Sequence, residues 1–341
     1  MVETHVRDQD AFDVTAFGSW LAREVPGLGE IRTVRQFAGG ASNLTFLVEC
    51  ADDAVVLRTS PAGRKAASAH DMVREARLLT ALRPQFDKVP HVLAVADEDS
   101  PIGRPAFVSE YVRGEILRQE MPAGAPVEAM AQTFINAFVS LHEVDTSVPG
   151  LRAFNKGEGY VRRQVEGWSR RYRQALTDDV PDAEPVMKWL DAEQPDDVGA
   201  CVIHNDWRFD NLVLDPDDLS EIRAVLDWEL ATVGDPFMDL GSALAYWVQA
   251  DDDEQMQAFR RQPSSAPGMP TRTEFVDRYC ALAGRPRPDW LFYEVYGLFR
   301  LAGIAQQIWY RYRAGQTSNP AFAPFGPAVV NLVNRCQRLI G

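Results

Sequence analysis

The 341-residue chain is predicted to fold as an α+β protein, with a small antiparallel β N-lobe followed by a large helical C-lobe. Short strand-like segments separated by Gly, Pro and Asp dominate the first third of the chain, whereas long segments with helical periodicity dominate after Gly114. The chain also exceeds the size at which a single hydrophobic core stops growing. We therefore expect two lobes, residues 1–112 with a hinge at their end and residues 113–341.

The N-lobe contains a predicted antiparallel meander. Ile31–Phe37 and Leu44–Cys50 are strand-like and are joined by the sequence AGGASN, and Ala54–Thr59 follows after the turn at Asp52 and Asp53. Apolar residues at helical spacing predict helices over 14–25 and 70–82, and further strands are expected over 91–96 and 106–111.

The C-lobe begins after a segment broken by Pro122, Gly124 and Pro126. A short strand is predicted at Cys201, and a small hairpin is predicted over 212–214 and 222–226. Residues 261–270 are rich in Pro and Ser, which indicates a surface loop. The periodicity predicts helices over 127–142, 160–176, 185–193, 237–248, 273–282 and 290–312.

Composition excludes several classes of protein. The formal net charge of -14 would repel a phosphate backbone, so we expect no nucleic-acid partner. The four cysteines form no close pair, which argues against a disulfide framework or a zinc knuckle. No apolar run is long enough to cross a membrane, and the polar start MVETHVRDQD has no apolar signal core, so we expect a cytoplasmic protein without a membrane partner.

Two features of the N-lobe suggest phosphate binding. In AGGASN, Gly39 and Gly40 would let the backbone approach a ligand closely, while Ser42 and Asn43 offer donors to phosphate oxygens. An ordinary Gly-Gly hairpin turn is the alternative. Arg58 projects from a predicted buried strand, and Glu75 in the next helix could pair with it to hold α- and β-phosphates; a surface arginine at the strand edge is the alternative.

The sequence CVIHNDWRFDN places many polar groups directly after an apolar strand. Phosphoryl transfer needs a carboxylate that accepts the hydroxyl proton of the acceptor and a neutral oxygen ligand for Mg²⁺, and Asp206 and Asn211 suit these roles. His204 is expected to brace the loop. Arg208 either forms a local salt bridge or faces the substrate, and the sequence leaves both readings open.

A second acidic segment, VLDWE, follows the predicted hairpin. Asp227 ends an apolar strand, and a carboxylate in that place suits a hard divalent cation that bridges phosphate oxygens. In GDPFMDL, Asp239 lies in a first helical turn, where the helix dipole favours an acid, so we expect a structural role that includes bracing the catalytic loop.

In combination, these motifs resemble the aminoglycoside-phosphotransferase-like family of small-molecule kinases, which are related in fold to protein kinases. HNDWRFDN resembles the HxDxxxxN catalytic loop, LDWE the metal-binding segment, AGGASNLTFLV the nucleotide loop, FVSEYVRG the hinge and GDPFMDLG the GDPxxDL segment. The resemblance covers most of the chain and implies a protein-kinase-like two-lobe fold.

The resemblance also implies roles for individual residues. Asp206 would be the catalytic base, Asn211 and Asp227 would hold Mg²⁺, and Ser42 and Asn43 would lie over the phosphates of ATP. The backbone of Glu110, Tyr111 and Val112 would contact adenine. Where many members carry Lys on the third strand, this chain carries Arg58, which keeps the charge but not the shape. The sequence VLRTSP around Arg58 is similar to that of kinase-like domains fused to acyl-CoA dehydrogenases, and this suggests a functional link to such an enzyme.

The nature of the acceptor is suggested by local charge. Residues 291–341 hold one acidic residue against five arginines, and residues 151–176 hold seven basic residues against two acidic ones. Arg300, Ile304, Gln307 and Arg311 fall on one helical stripe, with Trp168 in the other basic segment. The pattern favours an anionic or acyl-CoA-type hydroxy compound as the small-molecule substrate. The alternatives are an amino sugar or amino alcohol, or a pseudokinase that binds nucleotide without chemistry.

Overall fold

The computed structural model describes residues 3–37, 43–61, 69–97, 100–317 and 319–341. In these residues the N-terminal part forms one six-stranded sheet with strand order β1-β2-β3-β4-β6-β5, in which every neighbouring pair is antiparallel. The strands are β1 (Glu3–Thr4), β2 (Ile31–Phe37), β3 (Leu44–Cys50), β4 (Ala54–Thr59), β5 (Val92–Ala96) and β6 (Ala106–Glu110), and the helices of this part are α1 (Val14–Glu24) and α2 (Ala69–Leu82).

Helices dominate the remainder. They are α3 (Val127–His142), α4 (Pro149–Arg152), α5 (Tyr160–Gln174), α6 (Glu184–Ala192), α7 (Pro236–Leu244), α8 (Glu254–Ala258), α9 (Arg272–Leu282), α10 (Trp290–Arg313) and α11 (Phe325–Ile340). Two short two-stranded sheets interrupt them, formed by β7 (Cys201–Ile203) with β10 (Thr232–Gly234) and by β8 (Leu212–Leu214) with β9 (Ile222–Val225). The predicted α+β class is confirmed.

Two large hydrophobic cores among the described residues support this architecture, beside a small third cluster of Phe37, Leu47 and Ala54. Phe17 and Leu21 of α1 pack with sheet residues such as Phe46 and Val108 in the smaller core. The larger core lies among the C-terminal helices, but Met72, Ala76, Leu79 and Leu82 of α2 belong to it. Helix α2 therefore carries its side chains from the N-terminal part directly onto the C-terminal part, and this places Glu75 beside the candidate site.

The structure differs from the sequence prediction at the end of α7. The helix stops at Leu244 instead of continuing to residue 248, because the following turn inserts Trp247 into the core. The Trp247 indole N–H donates to the carbonyl of Pro270 at 2.9 Å, a contact that a continuous helix would not allow. Strands β1 and β10 and helices α4, α8 and α11 are elements for which the sequence analysis gave no bounds.

Among the helices described, none combines the length and the apolar composition needed to cross a bilayer.

Candidate active site

The segment after β7 is held by its own aromatic side chain. Trp207 is buried and stacks on Phe138 of α3, with ring centroids 4.8 Å apart and planes 12° apart. Asn205, just before, adopts a positive φ of 65°, a conformation that turns the chain sharply out of the strand. Because Trp207 is fixed on one side of this turn, the side chain of the preceding residue, Asp206, is oriented away from the core.

Asp239 braces the same segment from the first turn of α7. Its fully buried carboxylate accepts the backbone N–H groups of His204 and Asn205, both at 2.7 Å. His142 contacts the same carboxylate through Nε2 at 3.1 Å. A buried carboxylate with several donors is a rigid anchor, because each donor that lost it would remain unpaired away from water.

His204 links the two loops of the site. Its Nδ1 accepts the backbone N–H of Asp206 at 3.2 Å, and its Nε2–H donates to the carbonyl of Leu226 at 3.0 Å. These contacts match the neutral imidazole. Burial lowers the pKa of His204 below its ordinary value, which favours the same neutral form. His204 thus connects the Asp206 loop to the residue that precedes Asp227.

Asp206 and Asn211 lie in direct contact. Asn211 Nδ2 donates to the backbone carbonyl of Asp206 at 2.8 Å and to Oδ2 of its carboxylate at 3.0 Å. Because the amide nitrogen faces Asp206, the amide oxygen of Asn211 points away from it. The backbone N–H of Leu226 donates to the carbonyl of Asn211 at 2.8 Å, which brings the segment of Asp227 alongside.

Asp227 follows β9 in a left-handed conformation, with φ 65° and ψ 61°. This conformation costs a non-glycine residue on the order of 1–3 kcal/mol and is concentrated at functional sites. The next residue, Trp228, is buried and its indole N–H donates to the carbonyl of Val225 at 2.7 Å. The Asp227 side chain, in contrast, is 40% exposed and available to a ligand.

Arg58 of β4 joins Asp227 to helix α2. Its Nη1 lies 3.1 Å from Glu75 Oε1, and its Nη2 lies 3.1 Å from Asp227 Oδ1. Burial raises the pKa of Glu75 to about 7, and Arg58 opposes that rise only in part because Asp227 adds a like charge. Burial disfavours the charge of Arg58 too, but its two carboxylate neighbours outweigh this and raise the pKa of Arg58.

The predicted nucleotide loop is described only at its end. Gly39, Gly40 and Ser42 lie outside the described residues. Asn43 is buried, and its Nδ2 donates to Glu229 Oε2 at 2.7 Å, so its amide spans from the sheet to the acidic segment. The sequence analysis missed Glu229; its place two residues after Asp227 in LDWE is the one signal that could have singled it out.

The predicted hinge offers unused backbone groups. The backbone N–H of Glu110 is taken by His91, and the Glu110 carboxylate binds Arg83. Tyr111 and Val112 are half-buried, and their backbone groups form no hydrogen bond with the rest of the described chain. Of the three hinge residues, these two therefore have donors and acceptors that a nucleobase could use.

On the other side of the Asp206 loop lies Arg300 of α10. Only 3% of Arg300 is exposed, yet its polar contact among the described residues is a backbone carbonyl and not a carboxylate. Its Nη2 donates to the carbonyl of Asn205 at 2.8 Å, and its guanidinium lies 5.3 Å above the ring of Trp168. The guanidinium of Arg171 also lies over that ring, 4.7 Å from its centroid.

The structure weakens one part of the charge argument made from the sequence. Several arginines of the two basic segments are paired with acids from elsewhere in the chain: Arg173 with Glu184, Arg313 with Asp178 and Asp179, and Arg335 with Asp252. Sequence counts miss this neutralisation, because the paired acids lie outside the two counted segments. Arg300 keeps its charge without such a partner among the described residues.

Comparison with known proteins identifies the family. A family model described as the phosphotransferase enzyme family matches residues 33–275, more than half of the chain. The chain belongs to this family. The catalytic-loop, acidic and hinge motifs described above all lie within the matched residues of the phosphotransferase.

Individual relatives add detail. The chain is 37% identical to mouse acyl-CoA dehydrogenase family member 10 over 289 residues. The aligned residues cover 83% of this chain but only 27% of the mouse protein, so the chain spans less than half the length of this curated relative. A crystal structure of a candidate aminoglycoside phosphotransferase from Ralstonia eutropha JMP134 is similar at TM-score 0.81 and 29% identity, over 96% of this chain and 98% of that one. A streptomycin–ATP–APH(2")-IIa ternary complex shares the fold at TM-score 0.59 and 14% identity, over 93% and 94% of the two chains.

Proposed function

We propose that this phosphotransferase transfers the γ-phosphate of ATP to a hydroxyl group of a small molecule. The observation that carries the proposal is the contact of Asp206 with Asn211 next to Asp227, which is itself held by Arg58. Phosphoryl transfer requires groups that position the reactants and stabilise charge. Here these are a carboxylate that accepts the hydroxyl proton, an amide oxygen, a second carboxylate and a cation. The ATP-bound neighbour of the same fold supports ATP as the donor.

The donor set fits a magnesium ion. Asn211 and Asp227 would supply one amide oxygen and one carboxylate, both hard oxygen ligands. Two such ligands suffice for Mg²⁺, which takes one or two protein carboxylates and completes its shell with phosphate and water. When bound, the ion would neutralise charge on the phosphates.

The protein side chains would then act by position and charge. Asp206 would orient the acceptor hydroxyl and accept its proton, and Arg58 would offset negative charge that develops on the phosphates. The backbone groups of Tyr111 and Val112 would contact the adenine. Gly39, Gly40, Ser42 and Asn43 would enclose the phosphates, and Glu75 would hold Arg58 in place.

The acceptor in this proposal is an anionic or acyl-CoA-type hydroxy compound. Arg300 is a buried cation whose only described polar contact is one backbone carbonyl, next to Asp206, and an acceptor anion would supply the missing partner. Trp168 adds an apolar face beside it. The name of the mouse relative supports the same class and also a functional link to an acyl-CoA dehydrogenase.

The test is a transfer assay with radiolabelled ATP, Mg²⁺ and a panel of hydroxyacyl thioesters, free hydroxy acids, amino sugars and amino alcohols. We expect label on an anionic acceptor. Asp206→Ala should abolish transfer while ATP still raises the melting temperature, since a ligand that binds only the native state stabilises it. Asp217→Ala, which removes an exposed acid from the β8–β9 turn, is the matched control.

Each other outcome has a defined meaning. Retained transfer by Asp206→Ala would refute the base assignment. Transfer to amino sugars alone would overturn the anionic acceptor. A rise in melting temperature with ATP, without transfer to any acceptor, would favour the pseudokinase that the Arg58 substitution suggests.

A further inference from the structure

Arg208 is buried between two acidic residues of its own loop. Its Nη2 lies 3.2 Å from Asp206 Oδ2, and its Nε lies 3.0 Å from Asp210 Oδ1. The Nε–H bond is not aimed at the Asp210 oxygen, so this contact is an ion pair without a hydrogen bond. Only 8% of Arg208 is exposed, and its guanidinium lies 4.6 Å above the ring of Tyr246. These contacts decide between the two readings that the sequence left open, in favour of a local role.

The consequence falls on the Asp206 carboxylate. Oδ2 is held from two sides, by the guanidinium of Arg208 and by the amide of Asn211 at 3.0 Å. Oδ1 forms no hydrogen bond with any described residue, so it is the oxygen left for an acceptor. Without Arg208, one neutral amide would have to hold the carboxylate alone, and rotation about the side-chain bond would exchange the two oxygens.

The position of Arg208 is itself fixed. Asp210 supplies an opposite charge in a site shielded from water, where such an attraction is stronger than at the surface. The Tyr246 ring closes one face of the guanidinium. The planar fork of an arginine can contact Asp206 and Asp210 through two different nitrogens at once, which the single charge of a lysine cannot do in the same geometry.

We propose that Arg208 is a positioning residue for phosphate transfer: it fixes Asp206 by Oδ2 so that Oδ1 faces the acceptor hydroxyl, and Asp210 acts through it. The inference rests on the proposed function, in which Asp206 accepts the proton. A purely structural role would make the loop collapse when the charge is lost and would need no particular geometry.

The variants separate these two roles. Arg208→Gln removes the charge, Arg208→Lys keeps it without the fork, and Arg208→Gln with Asp210→Asn keeps the loop neutral so that it can fold. Arg223→Gln is the control, because Arg223 pairs with Asp215 in the β8–β9 hairpin. Steady-state rates with ATP and the acceptor found by the panel give kcat and KM, and melting temperatures establish folding.

We expect kcat to fall by about a hundredfold in Arg208→Gln, in Arg208→Lys and in the double variant, with KM for ATP unchanged, because a catalytic group misplaced by about 1 Å costs that much. Recovery of wild-type kcat in Arg208→Lys or in the double variant would overturn the proposal, since a structural charge balance alone would then suffice. A loss confined to KM for ATP would overturn it as well.

A crystal structure of the double variant provides a readout that needs no activity. The proposal expects the Asp206 carboxylate to rotate away from its contact with Asn211. If wild-type protein transfers phosphate to no acceptor, the proposed function fails, and this structure still decides the role of Arg208. An Asp206 carboxylate in its original place would show that Arg208 does not position it.

Discussion

Asp239 offers a sharp test of how the catalytic loop is held. Replacement by Ala leaves the backbone N–H groups of His204 and Asn205 without an acceptor in a fully buried site. Each unpaired buried donor costs about 1–3 kcal/mol, so the pair predicts a loss of about 2–6 kcal/mol in the free energy of unfolding. A typical domain has only about 5–15 kcal/mol in total, so the change should be large.

Asp13 supplies the matched comparison. Its carboxylate also accepts two backbone N–H groups, those of Thr15 and Ala16 at 2.9 Å each, but at the exposed start of α1. Water can replace this acceptor, so Asp13→Ala should cost about 1 kcal/mol, as for an ordinary helix N-cap.

Urea unfolding measures both losses. Tryptophan fluorescence and circular dichroism should be followed together, because coincident transitions justify a two-state analysis. Asp239→Asn keeps one acceptor oxygen, so its free energy of unfolding should lie between those of the wild type and Asp239→Ala. If Asp239→Ala costs no more than Asp13→Ala, the argument from buried amides is wrong and the loop is held by other contacts.

Three further predictions concern the other side of the site. Asp227→Ala should weaken binding of ATP with Mg²⁺ by at least the roughly 10- to 100-fold that a lost supporting contact costs a metal site, and an unchanged affinity in calorimetric titration would count against Asp227 as a ligand. Arg58→Lys should lower kcat because a lysine cannot contact Glu75 and Asp227 together; equal rates for the two proteins would contradict this. Burial raises the pKa of Glu75 to about 7, so the folded state holds a proton that the unfolded chain releases near pH 4.5, and stability should fall as pH rises through that window. Between about pH 5 and pH 8 the wild type should therefore lose up to about 3 kcal/mol of unfolding free energy that Glu75→Gln does not lose. Parallel pH profiles of the two proteins would refute the assignment.

Local sequence patterns predicted the elements that carry the site. The antiparallel strands β2, β3 and β4 and the helical character after Gly114 follow from alternation and periodicity, which depend on near neighbours. The candidate residues Asp206 and Asn211 could be selected for the same reason, since they are five residues apart in one loop. Their contact needs no information from distant parts of the chain.

A bracing role for Asp239 and His204 was expected from the sequence, but local spacing did not locate the long-range partners that hold the loop. Asp239 binds backbone groups more than thirty residues earlier in the chain, Asn43 reaches Glu229, and Arg300 reaches Asn205. Each pairing depends on how α7, the sheet and α10 pack, and no spacing in the sequence encodes that packing. The early end of α7 was missed for the same reason, because the burial of Trp247 decides it.

Arg58, at the position where the resemblance implies a lysine in many related kinases, forms long-range contacts of the same kind. Arg58 contacts Glu75 on a helix that packs into the C-terminal core and Asp227 at the end of β9. One planar cation thus ties the sheet, α2 and the acidic segment together at a single point. In the proposed function, a shift of α2 would move Glu75, alter the hold on Arg58 and change the charge that Asp227 presents to ATP. Arg58 would then couple the N-terminal sheet to the proposed metal ligand instead of marking an inactive protein.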